Sequence, residues 1–210
     1  MSDTVGKKNS QNGWTVHENG WVFPEAEEQV EAASGKVKVA TVWLDGCSGC
    51  HMSFLDIDEK IIGLADLIQI VYSPLVDIKK FPEGVDVTLV EGAVSSDEDE
   101  EKIHEIRKGS KLLISFGDCA VTANVPAMRN QFKVDEVLKR AYVENATFNQ
   151  EIPRFGVPRL LRKARPVHEI VDVDLFLPGC PPPSDVIYFV LGELLEGRIP
   201  DTKGKTRFGA

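Results

Sequence analysis

The sequence runs to 210 residues, with 42% hydrophobic residues and a formal net charge of −9. That suits one domain with its own core and a small appendage, and it argues against a protein that coats nucleic-acid phosphates. No apolar run approaches a membrane span, and the N-terminus lacks the apolar core of a signal peptide.

Residues 1–35 read as a loosely attached arm. Ser2 to Gly13 is polar and rich in Gly and Asn, which suits disorder. Trp14, Trp21, Val22 and Phe23 then interrupt the polarity. They either pin the arm to the domain or anchor another subunit, since Trp favours interfaces. Val37 to Leu44 follows as a nearly continuous apolar strand, the pattern of a strand covered on both faces. It runs into Asp45-Gly46-Cys47-Ser48-Gly49-Cys50-His51-Met52. A helical pattern then leaves from Phe54 to Leu67, with Phe54, Ile57, Ile61, Leu64, Ala65 and Ile68 at steps of three or four.

Gln69 to Tyr72 reads as a second strand and Asp86 to Gly92 as a third. Ser96 is a candidate N-cap for a helix whose first turns carry Asp97 to Glu101, carboxylates that complement the helix dipole. Lys111 to Phe116 is a fourth strand, followed by Gly117-Asp118-Cys119. Ala120 to Phe132 is helical or irregular and is broken by Pro126. Residues 133–170 form a long excursion marked by Pro153, Pro158 and Pro166. Val171 to Leu177 is the last strand, followed by Pro178-Gly179-Cys180-Pro181-Pro182-Pro183. Ser184 is the expected cap of a final helix that ends at Gly197. This order predicts an α/β domain over 36–210, a mainly parallel sheet with helices on both faces, in the order of flavodoxin.

All four cysteines follow predicted strands, at the sheet edge where ligands bind in such folds. Four cysteines at Gly-rich turns fit metal ligation better than a disulfide scaffold. Thiolates are soft ligands that suit zinc, copper(I) or iron–sulfur clusters. A zinc ribbon sets two short pairs face to face. Here one Cys-x2-Cys pair joins two distant single cysteines, a set able to surround a cubane cluster. Gly46, Gly49, Gly117 and Gly179 let backbone approach it closely, and backbone N–H groups there would stabilise negative charge on sulfur. A thioredoxin-like pair would leave Cys119 and Cys180 unexplained. Their bland alternative is a packed, buried cysteine, and a zinc-stabilised interaction module stays open.

Val42 to Asp56, Val90 to Val94, Phe116 to Ala120 and Leu177 to Pro182 together resemble the small subunit of nickel–iron hydrogenases, the cytoplasmic, bidirectional, NAD-reducing type in particular. The likeness covers about residues 36–200. It implies a [4Fe–4S] cluster held by Cys47, Cys50, Cys119 and Cys180, beside the nickel–iron site of a large subunit. It also implies electron transfer to a flavin/iron–sulfur diaphorase that reduces NAD+, and a cytoplasmic location. Glu91 matches the family's acidic residue after the third strand, close to the cluster and the subunit interface, and is a candidate for proton transfer. Longer relatives continue into a domain with further ligands; this sequence has no spare cysteine and is expected to hold one cluster. The alternative reading is a quinone-reductase-like iron–sulfur subunit; that relative carries adjacent cysteines in its first motif, where Ser48-Gly49 separates them here.

No flavin is expected on this chain. The flavodoxin phosphate turn is occupied by Cys47 and Cys50, Ser48 stands there as a lone hydroxyl, and Asp45 and Asp56 would repel phosphate. His51 relays protons, hydrogen-bonds the cluster, or has a surface or packing role. Asp118 is expected to tie down its turn. Arg129 and Arg154 are candidates to face a partner.

Overall fold

The computed structural model describes residues 35–209, together with the backbone of two short strands, β1 (Thr15–His17) and β2 (Gly20–Val22). Those strands pair antiparallel. They belong to a unit spanning Met1–Glu31, and the rest of the chain forms a second unit. The roles expected of Trp14, Trp21, Val22 and Phe23 lie outside the described residues.

The second unit is built on five parallel strands: β3 (Val37–Trp43), β4 (Ile68–Tyr72), β5 (Val85–Glu91), β7 (Ser110–Phe116) and β9 (Leu175–Leu177). They lie in the order β4-β3-β5-β7-β9. This is the flavodoxin-like arrangement, in which the chain reverses its direction of winding between the first and third strands of the sheet. Here that point lies between β3 and β5. The apolar runs of β3, β5 and β7 follow from burial on both faces.

Residues on one face, among them Val39, Leu89, Ile114 and Phe116, pack with Phe54, Ile57, Ile187 and Val190. These last four come from or adjoin α1 (Gly49–Leu55) and α6 (Ser184–Leu195). Val42, Val90 and Leu113 of the other face pack with Ile103 and Ile106 of α3 (Asp97–Gly109). Each fully buried Leu, Ile or Val contributes about 1.5–3 kcal/mol.

Four details differ from the sequence reading, the first being that the last strand, expected over Val171–Leu177, is confined to Leu175–Leu177. The helix expected over Phe54–Leu67 is two, α1 and α2 (Lys60–Ala65). Between them the bonds tighten to Ile57 N–H on Phe54 and Asp58 N–H on Leu55, and Asp58 takes a left-handed φ of 59°, which Asp tolerates. α1 also starts at Gly49, so Cys50 and His51 are helical. At α6 the cap is Pro183, not Ser184. The preceding prolines hold extended backbone up to that point, and the Pro183 carbonyl accepts from Val186 and Ile187.

The excursion carries the short helix α5 (Val134–Lys139) and a strand that periodicity did not reveal. β8 (Leu160–Arg165) pairs antiparallel with β6 (Val94–Ser96). The acidic start of α3 is used here. Ser96 and Asp99 form a reciprocal capping box, Asp97 holds Arg159 at 2.9 Å, and Glu100 holds Arg165 at 2.6 Å. No helix among the described residues is long and apolar enough to cross a membrane.

Candidate metal centre

The carboxyl ends of β3, β5, β7 and β9 carry the residues of interest. Glu91 closes β5, in register with Trp43 on one side and Phe116 on the other. The chain leaving β3 runs beside the chain leaving β5. Asp45 and Ala93 exchange both backbone hydrogen bonds there, at 3.1 and 2.8 Å. Gly46 lies directly against Gly92. The turn then passes through Cys47 and Ser48, a non-glycine residue at φ 63°, and enters α1.

Glu91 is almost fully buried and works as the cap of α1. Its carboxylate accepts the backbone N–H groups of Cys50 at 3.3 Å and His51 at 3.0 Å, and pairs with His51 Nδ1. Those N–H groups are among the unsatisfied donors of a helix start, where negative charge is favoured. Of the roles considered for His51, its burial against Glu91 fits packing and excludes a surface position. Its Nε2 is buried without a hydrogen-bond partner.

From β7, Gly117 leads into the short helix α4 (Asp118–Thr122), which carries Cys119. Gly117 has φ 82°, and a Cβ there would stand 2.2 Å from Cys50 Sγ. Only a residue without a side chain lets the β7 turn and the first cysteine motif come this close. From β9, Gly179 sits at φ 140°, where a Cβ would meet Pro182 Cα at 2.5 Å. The Cys180–Pro181 peptide is cis.

Asp118 binds these turns together, as expected. Its backbone N–H donates to Gly179 O, and its carboxylate accepts from Gly179 N and Gly209 N, both at 2.7 Å. Ser53 Oγ donates to Pro182 O at 2.5 Å, linking α1 to the Cys180 turn.

The four cysteines thus meet at one rim, all as free thiols. Burial, then the Glu91 carboxylate, then the other three sulfurs push the Cys50 thiol far above its ordinary range. Burial also raises Cys119, to about 11. A backbone hydrogen bond from Val125 opposes this rise, while Cys180, Cys47 and Glu91 add to it. Four thiols at one sheet edge form a donor set suited to a cationic metal centre, which deprotonates coordinating thiols. Among the described residues no three His, Cys, Asp or Glu donors converge as they would on a single ion. Gly49 N–H approaches Cys47 Sγ at 3.4 Å. Asn124 Nδ2 approaches Cys180 Sγ at 3.7 Å.

The remaining candidates lie elsewhere. Arg129 is spent internally, donating to Leu161 O and Ser95 O at 3.0 Å each. Arg154 is exposed in the excursion. Sequence reasoning missed Ser53 and Asn124. Each acts on a residue more than fifty positions away, which no local pattern reveals.

Residues 47–194 match the family described as NADH ubiquinone oxidoreductase, 20 Kd subunit. The chain is 45% identical over 169 residues to the delta subunit of the NAD-reducing hydrogenase HoxS of Cupriavidus necator, covering 78% of this chain and 81% of that one. It is 41% identical over 166 residues to a subunit of the F420-non-reducing hydrogenase vhu of Methanocaldococcus jannaschii. That match covers 78% of this chain but only 58% of the relative, less than two thirds of its length. A chain of a crystal structure of an NAD+-reducing [NiFe]-hydrogenase in the H2-reduced state superposes with TM-score 0.79 at 38% identity, covering 82% of this chain and 99% of that one.

Proposed function

The chain belongs to the family of the NADH ubiquinone oxidoreductase 20 kDa subunit and, within it, to the hydrogenase small subunits, and from that premise we propose that it is the electron-relay subunit of a soluble NAD-reducing [NiFe] hydrogenase. Residues 36–210 would be the cluster-binding domain and residues 1–35 an appended arm. Cys47, Cys50, Cys119 and Cys180 would hold one [4Fe–4S] cluster, with Gly46 and Gly179 shaping the turns that carry them. Such a cluster takes up and passes on single electrons between the large subunit's nickel–iron site and a diaphorase that reduces NAD+. The reaction is reversible hydrogen oxidation, and the chain would not split hydrogen alone.

The observation that carries the reading is the convergence of four free thiols from three distant segments on one sheet edge, with Cys50 close enough to feel the other three sulfurs. The protein residues supply position and field. Gly117 admits the Cys50 sulfur, Asp118 fixes the Cys180 turn, and Glu91 fixes the start of α1. Glu91 is also proposed to hold a proton on a path between subunits, with His51 as its neighbour. Buried carboxylates beside a site are suited to that role.

Exposed Trp43, Met52, Val125 and Met128 lie next in sequence or close to the cysteine motifs. They are proposed to be covered by the large subunit, as apolar surface around a site usually is. A cytoplasmic location goes with this assignment.

The test is metal and sulfide analysis of the anaerobically purified complex, in wild type and in Cys180→Ser. About four irons and four labile sulfides per chain are expected beyond the partner's own site, with loss or strong perturbation in the variant. Zinc in a colourless protein would favour the interaction-module reading. Unchanged iron and spectra in Cys180→Ser would remove Cys180 from the ligand set.

A further inference from the structure

We propose that Asn124 sets the reduction potential of the cluster by donating a side-chain hydrogen bond to the Cys180 sulfur. This rests on the cluster reading above and adds a residue to it. Three of the four sulfurs have an N–H group directed at them. Gly49 N–H faces Cys47 at 3.4 Å, Val125 N–H faces Cys119, and Asn124 Nδ2 faces Cys180 at 3.7 Å. The first two are backbone groups, present whatever the side chain. Among the described residues, Asn124 is the side-chain donor of the set.

Its position is built. α4 ends at Ala123, which is buried and holds a left-handed φ of 61° although it carries a Cβ. A non-glycine residue in that region is strained. The turn it makes presents Asn124 and Val125 side by side, one to each of two sulfurs from different strands. Asn124 itself is only half-buried, so its amide is not needed to fill a core.

The sign follows from charge. A donor to cysteine sulfur stabilises negative charge there, and that charge is greater when the cluster is reduced. The hydrogen bond therefore favours the reduced form and raises the potential. Removing it lowers the potential. Putting a carboxylate in its place adds repulsion and lowers the potential further.

The experiment is a redox titration, followed by electron paramagnetic resonance, of the intact complex carrying Asn124→Ser and Asn124→Asp. Serine is too short to reach the sulfur, and aspartate reverses the local charge. Iron and labile sulfide are measured in the same samples. The expected result is wild-type iron, a lower midpoint in Asn124→Ser and a still lower one in Asn124→Asp. An unchanged midpoint in both variants overturns the proposal. So does loss of the cluster from both, which would make Asn124 a residue of assembly and not of potential. Absence of any iron–sulfur signal from this chain in the wild type would instead defeat the cluster reading itself.

Discussion

Gly117 is the residue on which the site's geometry most directly depends. Gly117→Ala places a methyl 2.2 Å from Cys50 Sγ on a backbone held at φ 82°. The strain alone costs about 1–3 kcal/mol, and the sulfur must also move. We expect a lower melting temperature together with loss of iron, read by thermal unfolding and metal analysis of the same preparation. Glu91 invites a subtler change. Its carboxylate serves Cys50 N–H, His51 N–H and His51 Nδ1 at once. Glu91→Gln preserves shape but gives up one acceptor oxygen and the charge. With a proton role, both turnover and hydrogen–deuterium exchange fall while iron is retained. Normal values of both would leave Glu91 as the cap of α1 and nothing more.

Among the elements, α3 is held at both ends by groups that can be tested separately. At its start, Ser96 and Asp99 cap each other, and Ser96→Ala is expected to cost about 1 kcal/mol in denaturant unfolding. At its end, Arg107 reaches Asp174 Oδ2 at 2.6 Å and also the carbonyls of Ser110 and Lys111. One guanidinium thus joins α3, the start of β7 and the turn before β9. Burial works to raise the Asp174 pKa, but hydrogen bonds from Arg107 and from Leu113 N–H outweigh it and hold the carboxyl below its ordinary 3.8. A carboxyl depressed in the folded state contributes stability above that ordinary value and loses it as pH falls through the folded pKa. The wild type should therefore exceed Asp174→Asn at neutral pH, with the gap closing below about pH 4. The side chain is 43% exposed, so the gap should stay within about 1 kcal/mol. A pH series of melting curves on both proteins measures it, and a gap that persists in acid would contradict the assignment.

For the whole molecule, the open question is what meets the sheet edge. Cys47 and Cys180 are exposed there, beside exposed Trp43 and Met52. We expect poor solubility of the isolated chain and a tight complex with a nickel-containing chain. A well-behaved monomer indifferent to such a chain would count against that assembly. The flavodoxin-like sheet raises a second question, since in flavodoxin the turn after the first strand receives FMN phosphate. Here that turn carries Cys47, Ser48 and the start of α1, and the helix N-terminus that would otherwise greet an anion is already occupied by the Glu91 carboxylate. We therefore expect no flavin on this chain. The hydrogenase pair purified without its diaphorase should release none on acid treatment, and stoichiometric FMN would overturn the expectation.

The sequence by itself determined the α/β class, the five parallel strands to within a few residues, and the coincidence of every cysteine with a strand end. Those are local consequences of apolar runs, glycine turns and the cap at Ser96, and they need no knowledge of distant contacts. Only the tertiary structure decided which groups touch. The Glu91 carboxylate reaches back forty residues to cap α1, Asp118 reaches sixty-one residues ahead to the Gly179 turn, and Asn124 faces Cys180 from fifty-six residues away. The pairing of β6 with β8 arises the same way, from the excursion returning to the acidic start of α3. Such contacts are set by the winding of the sheet, which brings four loop ends to one edge. A chain's local pattern encodes the strands that make that edge, but not the side chains that will face one another across it.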